Sequence, residues 1–176
     1  MAGGNFPATA PALILLCGLP GAGKTTFAHE LAQRLRFEHI ESDAIRRGLR
    51  ETPAYTAEEN AAVFARVDSA ARAALANGRH ALIDATNLTR RDRKRFYRVA
   101  GHFGAPVIAV RVTAPEEVIR ERLSKPREGF SQAGIAVHER MRTRLQPIDG
   151  PGVVADSRFE FGPAVDLVLR LIDDHP

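Results

Sequence analysis

Short apolar runs alternate along the chain with longer segments in which apolar residues recur every three or four positions. Residues 13–17, five successive apolar side chains, are typical of a strand that is buried on both faces. The apolar runs predict five strands, at 13–17, 37–40, 80–87, 105–112 and 153–161. The periodic segments predict helices at 24–36, 56–76, 115–123, 132–145 and 163–172, and two more that open near 44 and 89. Because strands and helices alternate, the pattern predicts an α/β fold in which one parallel sheet is covered on both faces.

The size and composition are those of one ordinary domain. The 176 residues are 44% hydrophobic and 26% charged, with a formal net charge of +4. We expect a loose tail at 1–11, which is rich in Gly, Pro and Ala, followed by a single domain at 12–176. No apolar run approaches the ~20 residues that cross a bilayer, and the single cysteine, Cys17, excludes an internal disulfide. We therefore expect a cytoplasmic protein without a membrane partner.

A glycine-rich octet at 18–25 directly follows the first predicted strand and leads into a predicted helix. It fits the phosphate-binding pattern G-x-x-x-x-G-K-[ST], in which backbone N–H groups and a helix N-terminus face a polyphosphate. In this pattern Lys24 reaches the β- and γ-phosphates and the Thr25 hydroxyl is placed for Mg²⁺. The alternative, a glycine-rich turn that binds nothing, does not explain this order of strand, loop and helix. The sequence predicts a site for ATP or GTP that is formed by Gly18, Pro20, Gly21, Ala22, Gly23, Lys24, Thr25 and Thr26.

Asp43 lies just beyond the carboxyl end of the second predicted strand, where parallel α/β sheets bind their ligands. It could cap the helix that opens at 44. It could also be the general base that takes the proton of an attacking hydroxyl. The two roles are compatible, and the second is our hypothesis. Arg46, one helical turn later, could hold the acceptor or its phosphate.

The third predicted strand ends in Asp84-Ala-Thr-Asn87. An acidic residue at the end of an apolar strand is typical of the Walker B position, which holds Mg²⁺ directly or through water. The alternative is that Asp84 or Asn87 caps the helix that opens near Thr89. We expect a site role for at least one of them: Asp84, with Thr25, as a metal ligand, and Asn87 as an acceptor ligand.

Two further segments carry many cations. The helix after 89 holds six of them in nine residues, which could form either a solvated face or a surface for a polyanion. Residues 115–145 predict two helices joined by a basic tip with Pro and Gly, an arrangement typical of a lid. Lid arginines can neutralise a transferring phosphoryl group, and the candidates are Arg120, Arg122 and Arg127, of which Arg127 is nearest the tip.

Taken in order, the loop at 18–26, Ser42-Asp43-x-x-Arg46, Asp84-Ala-Thr-Asn87-Leu and the basic lid resemble the kinase domain of polynucleotide 5′-hydroxyl kinases. They also resemble related bacterial P-loop kinases of the AAA type. The resemblance implies a P-loop kinase-like three-layer sandwich with strand order 2-3-1-4-5. It implies that Asp43 activates the 5′-hydroxyl, that Arg46 binds the acceptor-side phosphate, and that Arg122 or Arg127 stabilises the γ-phosphate. The phage-type enzyme has Asp where this chain has Ala85, so Asp84 lies one residue earlier than the family's Asp.

These features favour an ATP- and Mg²⁺-dependent kinase that transfers the γ-phosphoryl group to a hydroxyl, with a polynucleotide 5′-hydroxyl as the preferred acceptor. A small-molecule alcohol such as a sugar, an antibiotic or another metabolite is the alternative acceptor. A nucleotide-dependent switch ATPase without a phosphoacceptor is an alternative of another class, and a nucleic-acid binder without catalysis is a third. The residues do not indicate an oligomeric state.

Overall fold

The computed structural model describes residues 10–50, 52–125, 134–148, 150 and 152–175. The strands are β1 (Leu13–Cys17), β2 (Phe37–Glu41), β3 (His80–Asp84), β4 (Val107–Thr113) and β5 (Val153–Asp156). The helices are α1 (Lys24–Ala32), α2 (Ser42–Leu49), α3 (Ala57–Ala76), α4 (Arg90–His102), α5 (Glu116–Ser124), α6 (Ile135–Arg142) and α7 (Gly162–Asp173). Two parts of the predicted organisation, residues 1–9 of the tail predicted at 1–11 and the lid tip with Arg127, lie outside the described residues. The division into tail and domain stays a prediction.

The five strands form one parallel sheet in the order β2-β3-β1-β4-β5. Both the predicted fold class and the strand order that the resemblance implies are confirmed. β1 lies at the centre, where Leu15 is level with Ile83 of β3 and Ala109 of β4. Because all strands run in one direction, their carboxyl ends meet at one edge of the sheet. That edge receives the glycine-rich loop, Asp43 just after β2, and Asp84 at the end of β3.

Successive side chains of β1 point to opposite faces of the sheet and so supply two separate cores. Ile14 and Leu16 pack with Phe27 of α1 on one face. Leu13 and Leu15 pack with α3 and α4 on the other. Every residue of β1 is buried, which explains the uninterrupted apolar run in the sequence.

Cys17, the last residue of β1, lies in the second of these cores and is 2% exposed. Its thiol donates to the Leu15 carbonyl oxygen at 3.6 Å. Burial raises the pKa of this thiol to about 12.

Several predicted element ends differ from the observed ones. α1 ends at Ala32 rather than at 36. β3 ends at Asp84 rather than at 87, level with Glu41, the last residue of the neighbouring β2, and Asn87 takes a left-handed backbone conformation with φ 46°. β5 ends at Asp156 rather than at 161. There the Asp156 carboxylate accepts from the Arg158 N–H at 3.0 Å, which turns the chain.

Helix capping decides one of the alternatives left open by the sequence. The N-cap of α4 is Thr89, whose hydroxyl accepts from the Asp92 N–H while the Asp92 carboxylate accepts from the Thr89 N–H. The interpretation of Asp84 or Asn87 as the cap of this helix is therefore wrong. In the part of the chain that the structure describes, no helix is both long and apolar enough to cross a membrane.

Candidate functional site

The glycine-rich loop connects β1 to α1 at the carboxyl edge of the sheet. Gly23 is the N-cap of α1 with φ 104°, and a Cβ there would lie 3.0 Å from the Ser157 Cβ. A Cβ at Gly18 would overlap the Val112 carbonyl oxygen. Both positions therefore require glycine, one for its backbone conformation and for space, the other for space.

Lys24, the first residue of α1, bends back over this loop. Its Nζ donates to the carbonyl oxygens of Gly18 and Leu19, each at 3.1 Å. The ammonium thus lies against the loop, and its contact with the β- and γ-phosphates stays a prediction.

A hydrogen-bonded group joins α1 to the two neighbouring strands. The Thr25 hydroxyl donates to Asp84 Oδ2 at 2.9 Å, and His39 Nε2 lies 3.1 Å from the same oxygen. Asp84 is 4% exposed. An ionised carboxylate oxygen only accepts hydrogen bonds, so His39 Nε2 is the donor in this group. This hydrogen bond raises the pKa of His39. The sequence did not single out His39. Its position two residues before the end of β2, level with Leu82, which is two residues before Asp84, becomes informative only when strand neighbours are known.

Two more carboxylates lie at the end of β2. Glu41 is level with Asp84 on the adjacent strand, and its pKa is raised by burial and then by the charges of Asp84 and Asp43. Asp43 is half-buried in the first turn of α2, two residues beyond the last residue of β2. The N-cap of α2 is Glu41, so the interpretation of Asp43 as the helix cap is wrong.

These carboxylates are not, by themselves, a closed metal site. Among the described residues, no group of three or more His, Cys, Asp or Glu side chains is arranged to enclose a metal ion.

Arg46 lies one turn after Asp43 on α2 and is 6% exposed. Its guanidinium donates to Glu59 Oε1 at 2.5 Å and to Asn60 Oδ1 at 2.7 Å, and it stacks over the Tyr55 ring at 4.7 Å. The hydrogen bond from Arg46 lowers the pKa of Glu59. The Nε of Arg46 is buried and bonds to no described residue.

Sequence reasoning missed Glu59 and Asn60 as partners of Arg46, since acidic residues in a first helical turn are explained by the helix dipole alone. Burial, and then the charge of Asp43, raises the pKa of Tyr55. The role of Arg46 toward an acceptor stays a prediction.

Asn87 is 2% exposed and fixes the end of β1. Its Nδ2 donates to the Leu16 carbonyl oxygen at 2.7 Å, while its Oδ1 is buried and bonds to no described residue. The observed bond gives Asn87 a structural role just before the loop, and acceptor binding by this residue stays a prediction.

Arg122 of α5 contacts the glycine-rich loop directly. Its Nη1 donates to the Gly21 carbonyl oxygen at 3.2 Å and to Ser157 Oγ at 2.7 Å, and its Nη2 donates to the Ser157 carbonyl oxygen at 3.1 Å. Arg120 points elsewhere and pairs with Glu116 at 3.0 Å and Glu139 at 2.6 Å. Of the described lid arginines, Arg122 is thus the one at the loop. Ser157 lies just beyond β5, and no sequence signal marked it.

The six cations of α4 have unlike surroundings. Arg93 is 2% exposed and donates to the carbonyl oxygens of Asn87 and Leu88 at 3.1 and 3.0 Å, and also to that of Pro147. Arg95 stacks over the Phe64 ring of α3 at 4.8 Å. The interpretation of all six cations as one surface was therefore wrong for Arg93 and Arg95, whose guanidinium groups contact other parts of the protein.

Comparison with known proteins gives the family. A family model described as an AAA domain, AAA_33, matches residues 13–148. The chain belongs to this family. Adenylyl-sulfate kinase of Rippkaea orientalis is 32% identical over 114 residues, which are 62% of this chain and 61% of that protein. The chain spans between about a sixth and three fifths of the length of the curated relatives it matches.

Solved structures place this AAA_33 member among P-loop kinases by fold. The adenylyl-sulfate (APS) kinase CysC of Mycobacterium tuberculosis, in complex with AMPPNP and APS, aligns with a TM-score of 0.72 at 17% identity over 93% of this chain and 98% of that one. The Pnkp1/Rnl/Hen1 RNA repair complex aligns with a TM-score of 0.65 at 24% identity over 82% of this chain and 47% of that one. At these identities the likeness shows the fold alone.

Proposed function

We propose that this protein is an ATP- and Mg²⁺-dependent kinase that transfers the γ-phosphoryl group to a hydroxyl, with the 5′-hydroxyl of a polynucleotide as acceptor. The observation that carries the proposal is the 2.9 Å hydrogen bond between Thr25 Oγ1 and Asp84 Oδ2. It brings the loop hydroxyl and the strand-end carboxylate to one point, and this pair holds Mg²⁺ in P-loop enzymes. Hydroxyl and carboxylate oxygens are also ligands that Mg²⁺ prefers.

In the proposed reaction each residue of the candidate site has one role. The loop N–H groups and Lys24 bind the phosphates, and Thr25 and Asp84 would hold Mg²⁺. The bound ion would supply charge neutralisation at the β- and γ-phosphates. The acceptor oxygen attacks the γ-phosphorus, its proton passes to the Asp43 carboxylate, and the bond to the β–γ bridging oxygen breaks to release ADP. Arg122, which donates to the Gly21 carbonyl oxygen, is the arginine of α5 that would neutralise charge on the transferring phosphoryl group.

A polynucleotide acceptor is supported by the part of α4 that packing leaves exposed. Arg91, Lys94 and Arg98 are exposed, and none forms an ion pair with a described residue. Their spacing puts them on one side of the helix over roughly 10 Å. α4 starts next to the carboxyl end of β3, so this basic stripe begins near the proposed reaction centre.

A small-molecule alcohol is the second candidate acceptor. The 32% identity to adenylyl-sulfate kinase extends over 114 residues, and the proteins of that name act on a small molecule. The loop, Asp43 and Asp84 would serve either acceptor equally. The choice therefore depends on an assay.

The test is phosphoryl transfer from γ-labelled ATP, with Mg²⁺, to a short single-stranded oligonucleotide that carries a 5′-hydroxyl. The same oligonucleotide with a 5′-phosphate is the blank acceptor. Asp43→Asn should lower the transfer rate by about 10²–10⁴, since it removes the base, and should leave ATP binding unchanged. Glu38→Gln, which changes an exposed carboxylate of β2 paired with Arg79, is the matched control and should behave as the wild type.

Label on the 5′-hydroxyl strand alone would support the polynucleotide acceptor. ATP binding without label on either strand would contradict it and favour a small-molecule alcohol, to be sought among sugars and other metabolites. ATP hydrolysis that no acceptor stimulates, and that Asp43→Asn leaves unchanged, would contradict the kinase proposal and favour a switch ATPase.

A further inference from the structure

His138 of α6 contacts the glycine-rich loop from a buried position. It is 1% exposed, and its Nδ1 lies 3.3 Å from the carbonyl oxygen of Pro20, 118 residues earlier in the chain. Neither the loop pattern nor the proposed reaction requires a histidine there.

The chemistry of this contact fixes which nitrogen carries the proton. A carbonyl oxygen only accepts hydrogen bonds, so Nδ1 of His138 must donate. In the neutral ring, Nε2 is then an acceptor, and it is buried without a partner among the described residues. A buried acceptor without a donor destabilises a fold. An apolar side chain would fill this position without that cost, so the value of a histidine here is its bond to the loop.

The bond also fixes the direction of the next N–H group. Pro20 and Gly21 are joined by a trans peptide bond, in which the carbonyl of one residue and the N–H of the next lie in one plane and point in opposite directions. With the Pro20 carbonyl held toward α6, the Gly21 N–H points away from α6. Gly21 has φ 82°, so glycine's conformational freedom would otherwise let this plane rotate.

Neighbouring contacts keep His138 in place. α6 is tied to α5 by ion pairs of Arg120 with Glu139 at 2.6 Å and of Arg142 with Glu116 at 2.5 Å. α5 in turn covers Gly21, where an added Cβ would meet Ile119 and Leu123 at 3.1 and 3.2 Å. The two helices thus contact successive residues of the loop, α6 at Pro20 and α5 at Gly21.

We propose that His138 is a positioning residue of the phosphate loop, which turns the Gly21 N–H toward the phosphates of the nucleotide by holding the Pro20 carbonyl. This inference rests on the proposed binding of a nucleoside triphosphate and adds a residue that acts through the loop backbone. It concerns the phosphate groups and not the base or the ribose.

The experiment measures the binding of a fluorescent N-methylanthraniloyl ATP, and of adenosine by competition, to four variants and the wild type. His138→Leu removes the donor. His138→Asn keeps an N–H near the position of Nδ1, and His138→Gln moves it toward the position of Nε2. His102→Leu, at an exposed position near the end of α4, is the matched control.

His138→Leu should raise the Kd of the ATP analogue about tenfold, the worth of one hydrogen bond to the loop, and leave the Kd of adenosine unchanged. His138→Asn should bind as the wild type, His138→Gln as the leucine variant, and His102→Leu as the wild type. If the leucine variant does not fold, the comparison of Asn with Gln gives the same test.

An equal loss for ATP and adenosine would show a merely structural role and overturn the inference, as would wild-type binding by His138→Leu or equal behaviour of the Asn and Gln variants. A wild-type protein that binds no ATP would instead overturn the proposed function itself. Acceptor identity does not affect this measurement, so the two failures are distinguishable.

Discussion

At Asp84 a single carboxylate oxygen contacts side chains from two other elements. Thr25 of α1 donates to Oδ2 at 2.9 Å, and His39 of β2 lies 3.1 Å from it. The sequence predicted Thr25 and Asp84 separately, each from its own motif. That they meet, and that His39 joins them, follows from the order of β2, β3 and β1 in the sheet, which no local pattern contains.

Replacing this carboxylate should change the requirement for Mg²⁺. Asp84→Asn removes the negative charge and keeps the size, so we expect the Mg²⁺ concentration for half-maximal phosphoryl transfer to rise about 10–100-fold. ATP binding measured without metal should be unchanged. Asp166→Asn, at an exposed aspartate paired with Arg34, is the control. An unaltered Mg²⁺ dependence in Asp84→Asn would remove Asp84 from the metal site.

His80 predicts a pH dependence of stability. Its Nδ1 accepts from the Ala12 N–H at 3.0 Å, and burial lowers the pKa of its imidazole below 6.5. Below about pH 6.5 the unfolded chain binds a proton at His80 that the folded protein does not bind. This contribution to the free energy of unfolding is therefore complete above pH 6.5 and is lost as the pH falls below it.

The check is urea unfolding between about pH 7.5 and about pH 5.5, with His80→Asn as the variant that keeps an acceptor but does not titrate. The wild type should lose more stability over this range than His80→Asn does. The raised pKa of His39 acts in the opposite direction, but it is common to both proteins. Equal losses would contradict the assignment.

At the scale of elements, α4 shows that a count of charged residues does not reveal which of them are buried. Arg93 belongs to the buried stripe with Phe96 and Ala100, at a spacing of three and then four residues. This helical spacing was readable in the sequence, but a charged residue on an apolar stripe is usually assumed to lie at its edge. Only the carbonyl groups that converge on Arg93 from four loop residues, Asn87, Leu88, Gln146 and Pro147, explain its burial.

Arg93→Met should therefore destabilise the fold, because it leaves buried carbonyl groups without a donor. We expect a loss of roughly 2–4 kcal/mol in the free energy of unfolding. Arg91→Met, two residues away at an exposed position, should change it by less than about 0.5 kcal/mol. Chemical denaturation of both variants checks this, and equal effects would show that Arg93 contributes no more than a surface charge.

For the whole molecule, the apolar runs and their alternation with helices were enough to predict the fold class. The order of strands needed the resemblance to a family, since alternation alone allows several parallel sheets. The hydrogen-bond partners of Arg46 lie 13 and 14 residues away in sequence, and those of Arg122 lie 35 and 101 residues away. Such contacts depend on how helices pack over the sheet edge, which side-chain patterns do not specify.

The exposed stripe on α4 predicts how salt affects the whole protein's affinity for a polynucleotide. Replacing Arg91, Lys94 and Arg98 together with Gln should raise the KM for the oligonucleotide acceptor. It should also reduce the slope of log KM against log salt concentration by about two, from three lost phosphate contacts on single strands. The KM for ATP should not change. Equal charge removal at the exposed Arg36, Arg72 and Arg170 is the control, and the same slope in both triple variants would contradict this surface.

The rate at which the buried thiol of Cys17 is modified measures how often the folded protein opens. Since this is the chain's single cysteine and burial keeps it protonated and out of contact with solvent, a thiol reagent can modify it only in molecules that have opened. A ligand that binds the folded form makes opening rarer in proportion to its occupancy. The rate of thiol modification therefore reports binding without a product, a label or a known reaction. Oligonucleotides, sugars and other alcohols could be ranked by how far each slows that rate in the presence of ATP, before any of them is tested as an acceptor.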